Sequence, residues 1–282
     1  MEKEIKMIGL DLDGTLLDSR KELSPYTREV LAEAIEKGVT VLVATGRPLY
    51  GVPGELLDFP GMRYVLTANG ARIIDHGDHD RILWEQVLPE KEAADILRTL
   101  QEYDTISEVF CGGQGYIRRE DYERIDQYVP AAPMAEYIRR TRCVVENVAR
   151  ALEEHKNDGV DKVQAIFRNP EEQEEARRRV EAMGRYAVSG AMGNNLEINA
   201  PDVNKGNGLV KLGQLLGIRQ EEIMACGDGS NDIAMIRMAG LGVAMGNATE
   251  AVKEAADYVT ETNDEDGAAK AIAKFVCGKE ER

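Results

Sequence analysis

Lys6-Met7-Ile8-Gly9-Leu10-Asp11-Leu12-Asp13-Gly14-Thr15-Leu16 is the stretch on which the reading of this chain turns. Its first half is a short apolar run of the kind that forms a buried strand. That strand ends in Asp11 and Asp13, spaced i, i+2. Side chains two apart on an extended strand point the same way, so both carboxylates would crowd one space where the strand stops. Like charges that close require a cation, a proton or solvent between them. Gly14 supplies a turn immediately afterwards. Asp-x-Asp-Gly is also a plain turn sequence, so the segments that follow must decide between a turn and a site.

Outward from this strand, the chain alternates apolar runs with helical patterns. Ser24-Pro25 opens a helix, with Ser as cap and Pro in the first turn; Val30, Leu31, Ala34 and Ile35 form its apolar stripe, and Gly38 ends it. Val39-Thr40-Val41-Leu42-Val43-Ala44 is a continuous apolar run, as expected of a strand covered on both faces. Tyr64 to Thr67, Glu222 to Cys226, Gly242 to Met245 and Tyr258-Val259 follow as further strands with helical segments between them. This alternation predicts an α/β fold, a doubly wound parallel sheet with helices on both faces. Right-handed crossovers place every strand's C-terminal end on one edge, where ligands bind. The middle differs. Residues 83–188 combine short strands, such as Glu108-Val109-Phe110 and Tyr116-Ile117, with charged helices around Val144 to Glu154 and Glu171 to Met183. They read as an α+β domain inserted into a core made of residues 1–82 and 189–282. Gly112-Gly113-Gln114-Gly115 reads as a hairpin turn within it.

Composition narrows the partners. The 282 residues carry a net charge of −16, which argues against nucleic acid as a partner. A small phosphorylated ligand remains compatible, because a metal ion and one lysine can reverse the field locally. No apolar stretch is long enough to span a membrane, and the N-terminus lacks an apolar signal region. Cys111, Cys143, Cys226 and Cys277 are scattered and form no C-x-x-C pair, so reduced thiols in a cytoplasmic protein are expected. Nothing in the composition speaks to oligomeric state.

Three further segments carry chemistry. Thr45-Gly46-Arg47 ends the second strand, where a hydroxyl and a glycine N–H suit a phosphate oxygen. Asn204-Lys205-Gly206 opens a helix, a place where the helix dipole disfavours a cation unless it meets an anion. Gly227-Asp228-Gly229-Ser230-Asn231-Asp232 follows the apolar run to Cys226, with Asp228 where a metal carboxylate is wanted and Asn231 and Asp232 at a helix start. Each also has an ordinary reading as a turn, a surface lysine or a cap. Together they lie on one expected sheet edge, in one chain order.

In that order the segments resemble the haloacid dehalogenase superfamily of phosphohydrolases, and within it the Cof-type branch, subfamily IIB, whose larger cap lies between the second and third motifs. Asp11 to Leu17, Thr45-Gly46-Arg47, Lys205 and Gly227 to Asp232 are similar to its four motifs, and Thr67 to Ala71 and Ala239 to Ala248 are similar to further family stretches. The resemblance implies a Mg²⁺-dependent phosphatase acting on small phosphorylated metabolites such as sugar phosphates, pyridoxal phosphate or flavin mononucleotide. It implies Asp11 as nucleophile and Asp13 as general acid/base. The metal would bind the Asp11 carboxylate, the Asp13 backbone carbonyl and Asp228. Thr45, Gly46, Lys205, Asn231 and the Leu12 N–H would hold phosphoryl oxygens, and Asp232 would orient Lys205 or a metal water. Haloacid dehalogenases proper lack the second aspartate, so Asp13 favours a phosphatase or phosphomutase over a dehalogenase. The alternatives are a phosphomutase on the same core and a phosphometabolite-binding protein without turnover.

Overall fold

The computed structural model describes residues 4–155, 157–190 and 192–279. They divide into two compact units. One holds the residues up to Gly46, Pro53–Trp84 and those from Asn204 onward; the other holds Arg47–Val52 and Glu85–Val203. In chain order the strands are β1 (Met7–Leu10), β2 (Thr40–Ala44), β3 (Tyr64–Thr67), β4 (Arg72–Asp75), β5 (Arg81–Glu85), β6 (Thr105–Cys111), β7 (Gln114–Arg118), β8 (Arg142–Val145), β9 (Lys162–Phe167), β10 (Ala187–Ser189), β11 (Asn195–Asn199), β12 (Ile223–Gly227), β13 (Leu241–Ala244) and β14 (Tyr258–Val259).

The first unit is built on an eight-stranded sheet in the order β14-β13-β12-β1-β2-β3-β4-β5. The six strands from β14 to β3 are parallel, and β4 turns back antiparallel to β3. β1 and β12 are buried at every residue, as continuous apolar runs between two helical layers must be. From β1 the chain builds outward to β2 and β3 on one side; from β12 it builds outward to β13 and β14 on the other. The order therefore reverses between β1 and β12, the crevice where ligands bind in open sheets of this kind. Register brings Leu10 level with Cys226 on one side and Val43 on the other. The residues just beyond them, Asp11, Gly227-Asp228 and Ala44-Thr45, thus emerge together at one edge.

Local signals set the helices of this unit. Helix Pro25–Glu36 starts where Ser24 Oγ accepts the Thr27 N–H at 3.0 Å, and Gly38 follows in the left-handed region. Helix Lys205–Leu216 starts where Asn204 Oδ1 accepts the Asn207 N–H at 2.8 Å, and it ends at a left-handed Gly217.

The second unit is a six-stranded sheet, β10-β11-β9-β6-β7-β8, antiparallel except for the β7–β8 pair. Helices Glu90–Leu100, Val148–Glu154 and Pro170–Met183 pack against it. Ile106, Ile117 and Ile166 form an apolar cluster with Ile125, Tyr128, Tyr137 and Ile138. The β6–β7 turn is made by Gly112 and Gly113, both at positive φ, as the glycine run predicted. Two expectations shift. The helix expected from Val144 begins at Val148, because β-branched Val144 and Val145 pair with β7 instead. The inserted unit also runs to Val203 rather than 188, because β10 and β11 add to its sheet through β9. That pairing joins residues too far apart in sequence for a local pattern to reveal.

Beside the apolar cluster, the same sheet buries charge. Arg142 Nε donates to Glu108 Oε1 at 2.5 Å, Gln164 Nε2 donates to Glu108 Oε2 at 2.8 Å, and Lys162 pairs with Glu197 at 2.8 Å. All four pairing charges are almost wholly enclosed.

Candidate active site

The N–H of Asp11 donates to the Cys226 carbonyl at 3.1 Å, carrying the β1–β12 ladder one residue past the strand. This fixes the Asp11 carboxylate at the sheet edge, only 7% exposed. Lys205, the first residue of its helix, reaches it from the layer above. Its Nζ donates to Asp11 Oδ1 at 2.5 Å and to Asp232 Oδ1 at 2.7 Å, and the lysine has no exposed surface. Asp232 Oδ2 in turn accepts the backbone N–H groups of Asp228 and Gly229 at 3.0 and 2.9 Å. Asp232 therefore links the lysine to the loop after β12. Asp228 Oδ1 accepts a hydrogen bond from Thr15 Oγ1 at 3.0 Å. The turn carrying Thr15 can approach so closely because Gly14 lies at φ +85° and presents no Cβ, which would fall 2.5 Å from Asp228 Oδ2.

Three carboxylates, Asp11, Asp228 and Asp232, thus offer oxygens within 4.8 Å of one another. Their electrostatics follow from that crowding. Burial drives the Asp11 carboxyl well above the ordinary range; Lys205 opposes the rise, and Asp232, Asp228 and Asp13 add to it. Burial and then Asp232 push Asp228 up to about 6, against the Thr15 hydrogen bond and Lys205. Burial by itself would lower Lys205, but Asp11 and Asp232 outweigh it and keep it a cation. One ammonium stands against three carboxylates, and all the offered donors are oxygens. Such a set fits a hard divalent cation and would be relieved by one.

The remaining expected residues sit around this centre. Asp13 is half-buried and turned toward Lys21, whose Nζ donates to Asp13 Oδ1 at 2.6 Å. Its carboxylate is outside the three-carboxylate cluster. Leu12 is fully buried, and its carbonyl accepts the Leu16 and Leu17 N–H groups in the turn after β1. Thr45 is buried at the end of β2, its N–H donating to Leu66 at 2.9 Å and its carbonyl accepting the Asn69 N–H at 3.0 Å; Gly46 follows directly. Asn231 Nδ2 donates to Asn69 Oδ1 at 3.2 Å.

The sequence reading missed Thr15, Lys21 and Asn69. For Asn69 a signal exists: Asn-Gly after an apolar run marks a left-handed turn, and Asn69 does lie at φ +62°. The other two have no local signal.

A family model for haloacid dehalogenase-like hydrolases matches residues 8–272. The chain belongs to that family. A 5-amino-6-(5-phospho-D-ribitylamino)uracil phosphatase of Bacillus subtilis, YcsE, is 34% identical over 97% of this chain and 96% of its own length. Phosphatase YwpJ of the same organism is 31% identical over 94% of this chain and 98% of its own. Among solved structures, the subclass IIB sugar phosphatase BT4131 of this superfamily superposes with a TM-score of 0.80 at 28% identity, over 96% of this chain and 98% of that one. The expected Cof-type membership and α/β core are both borne out, and this haloacid dehalogenase-like hydrolase is a phosphoric monoester hydrolase. Among the described residues no helix is long and apolar enough to cross a membrane.

Proposed function

We propose that this hydrolase is a Mg²⁺-dependent phosphatase that cleaves small phosphorylated metabolites, sugar and polyol phosphates among them, through an aspartyl-phosphate. The observation that carries the proposal is the fully enclosed Lys205 between Asp11 and Asp232, which fixes one carboxylate oxygen at the sheet's switch point. An Asp11 oxygen attacks phosphorus, and the bond to the leaving alcohol breaks. Asp13 gives that alcohol its proton. Water then attacks the aspartyl-phosphate, Asp13 takes a proton from it, and phosphate leaves with Asp11 restored. Lys205, Thr45, Asn231 and the N–H groups of Leu12 and Gly46 hold phosphoryl oxygens in place. Mg²⁺, held by Asp11, Asp228 and the Asp13 carbonyl, supplies charge that offsets the crowded carboxylates and the phosphate. The inserted unit is the part we assign to choosing among esters. The sugar phosphatase and ribitylaminouracil phosphatase among the relatives support a polyhydroxylated substrate.

The test is Asp11→Asn, assayed by phosphate release from p-nitrophenyl phosphate with Mg²⁺. Turnover is expected to fall by about 10³-fold or more. In the presence of a chelator the melting temperature should not drop, because a crowded carboxylate has been removed. Chelation should abolish wild-type turnover, and Mg²⁺ should restore it. Wild-type rates in Asp11→Asn would sink the mechanism.

A further inference from the structure

We propose that Lys21 is a positioning residue that holds the carboxylate of Asp13 in its working orientation, an inference that rests on Asp13 being the acid/base. Lys21 adopts φ +66°, a conformation that costs any residue with a Cβ more than it costs glycine. The turn does not need a lysine side chain to form. Asp18 Oδ1 accepts the N–H groups of Arg20 and Glu22, each at 2.9 Å, and the Lys21 N–H donates to the Asp18 carbonyl at 2.9 Å. The turn is also tied down from outside: the Ser19 N–H donates to Asp264 Oδ1 at 2.7 Å, and Asn263 Nδ2 donates to the Leu17 carbonyl at 2.9 Å. Glycine would suit the backbone better.

What the lysine adds is its ammonium, 2.6 Å from Asp13 Oδ1. As a stabilising contact this adds little, because both side chains are about a quarter to a third exposed, at 30% and 26%. Its effect falls instead on the carboxylate. One Asp13 oxygen is engaged by a donor carried on a braced turn, which restricts the direction from which the other meets a leaving group. Orientation of this kind governs proton transfer strongly.

The test compares Lys21→Gly, Lys21→Met, Lys21→Arg and Asp13→Asn on two esters of similar size, p-nitrophenyl phosphate and phenyl phosphate, with Mg²⁺. Phenolate is the poorer leaving group and depends more on an acid. Lys21→Gly and Lys21→Met should lose about tenfold or more in kcat/KM with phenyl phosphate and less than about threefold with p-nitrophenyl phosphate. Lys21→Arg should recover most of the loss, and Lys21→Gly should melt at or above the wild-type temperature. Equal losses on both esters, wild-type values on both, or a lower melting temperature for Lys21→Gly would overturn the proposal. If Asp13→Asn shows the leaving-group pattern and the Lys21 variants do not, the Lys21 proposal fails alone. If Asp13→Asn keeps wild-type rates on both esters, the acid/base reading fails and takes this one with it.

Discussion

A lysine with no exposed surface is held in place only if its charge is matched, and Lys205 is matched twice, by Asp11 and Asp232. Replacing it by Met keeps most of the volume and leaves Asp11, Asp228 and Asp232 crowded without their cation. Lys205→Met should therefore destabilise the chelated protein by about 3–5 kcal/mol at neutral pH, read from denaturant unfolding. Adding Asp232→Asn should recover part of that loss, since one of the orphaned charges is gone. A loss below about 1 kcal/mol would mean that the three carboxylates are not coupled through the lysine. At this scale the sequence was informative wherever a polar residue closes an apolar run or opens a helix. Asp11, Thr45, Lys205, Asp228 and Asn231 all stand at such places. Thr15 was silent because its role is set by Asp228, 213 residues away; at Asn69 the left-handed turn was legible, but its bond with Asn231, 162 residues away, was not. Asp232 was legible as a helix-start residue, but its double task of holding Lys205 and the Asp228 and Gly229 N–H groups belongs to the folded loop.

At the scale of elements, the helix Lys205–Leu216 carries its lysine to Asp11 only because it lies tightly against the helix Ile233–Met238. A Cβ on Gly206 would fall 2.7 Å from the Ala234 backbone carbonyl carbon and oxygen, and backbone cannot move aside as a side-chain tip can. Gly206→Ala should thus push the helix outward, costing about 1–3 kcal/mol as overpacking does. It should also cut turnover, because Lys205 is the adjacent residue and a misplacement of about 1 Å can cost roughly 10²-fold. Leu215→Ala, on the same helix at a site 49% exposed, should change stability by less than about 0.5 kcal/mol and leave turnover intact. If both variants behave alike, the close helix crossing is not what places the lysine. Elements that bury both faces were readable as unbroken apolar runs, β1, β2 and β12 above all. The second half of β8, Val144-Val145, falls within the helix expected from Val144, because four residues offer too short a period to separate the two states. The polar strip Glu108, Lys162, Gln164 and Glu197 was invisible for a related reason. Those residues alternate with apolar ones on β6, β9 and β11, a pattern that reads as strands half-facing solvent, yet the sheet buries them all.

For the molecule as a whole, the crowded carboxylates tie stability to pH and to metal. Asp228 is raised to about 6, and Asp11 is raised with it, both above the values they have in an unfolded chain. Between about pH 4 and 6 the folded protein therefore binds more protons than the unfolded one, and stability conferred by these groups falls as pH rises through that window. The net charge of −16 works in the same direction, since further ionisation adds to self-repulsion. A divalent cation requires the carboxylates deprotonated, so its affinity should weaken as pH drops below about 6, by roughly tenfold per unit for each proton that must leave. A ligand that binds only the folded state raises the melting temperature according to its affinity. The measurement is the melting temperature with Mg²⁺ minus that with a chelator, taken from pH 5 to pH 8. The difference should be small at pH 5 and grow through pH 6 as Asp228 gives up its proton. In Asp228→Asn, where the group that titrates near 6 is gone and a ligand oxygen is lost with its charge, the difference should be small at every pH. A gain in the wild-type protein that stays constant across the range would show that the carboxylates near Lys205 neither hold their protons as the burial of Asp11 and Asp228 requires nor release them to a metal.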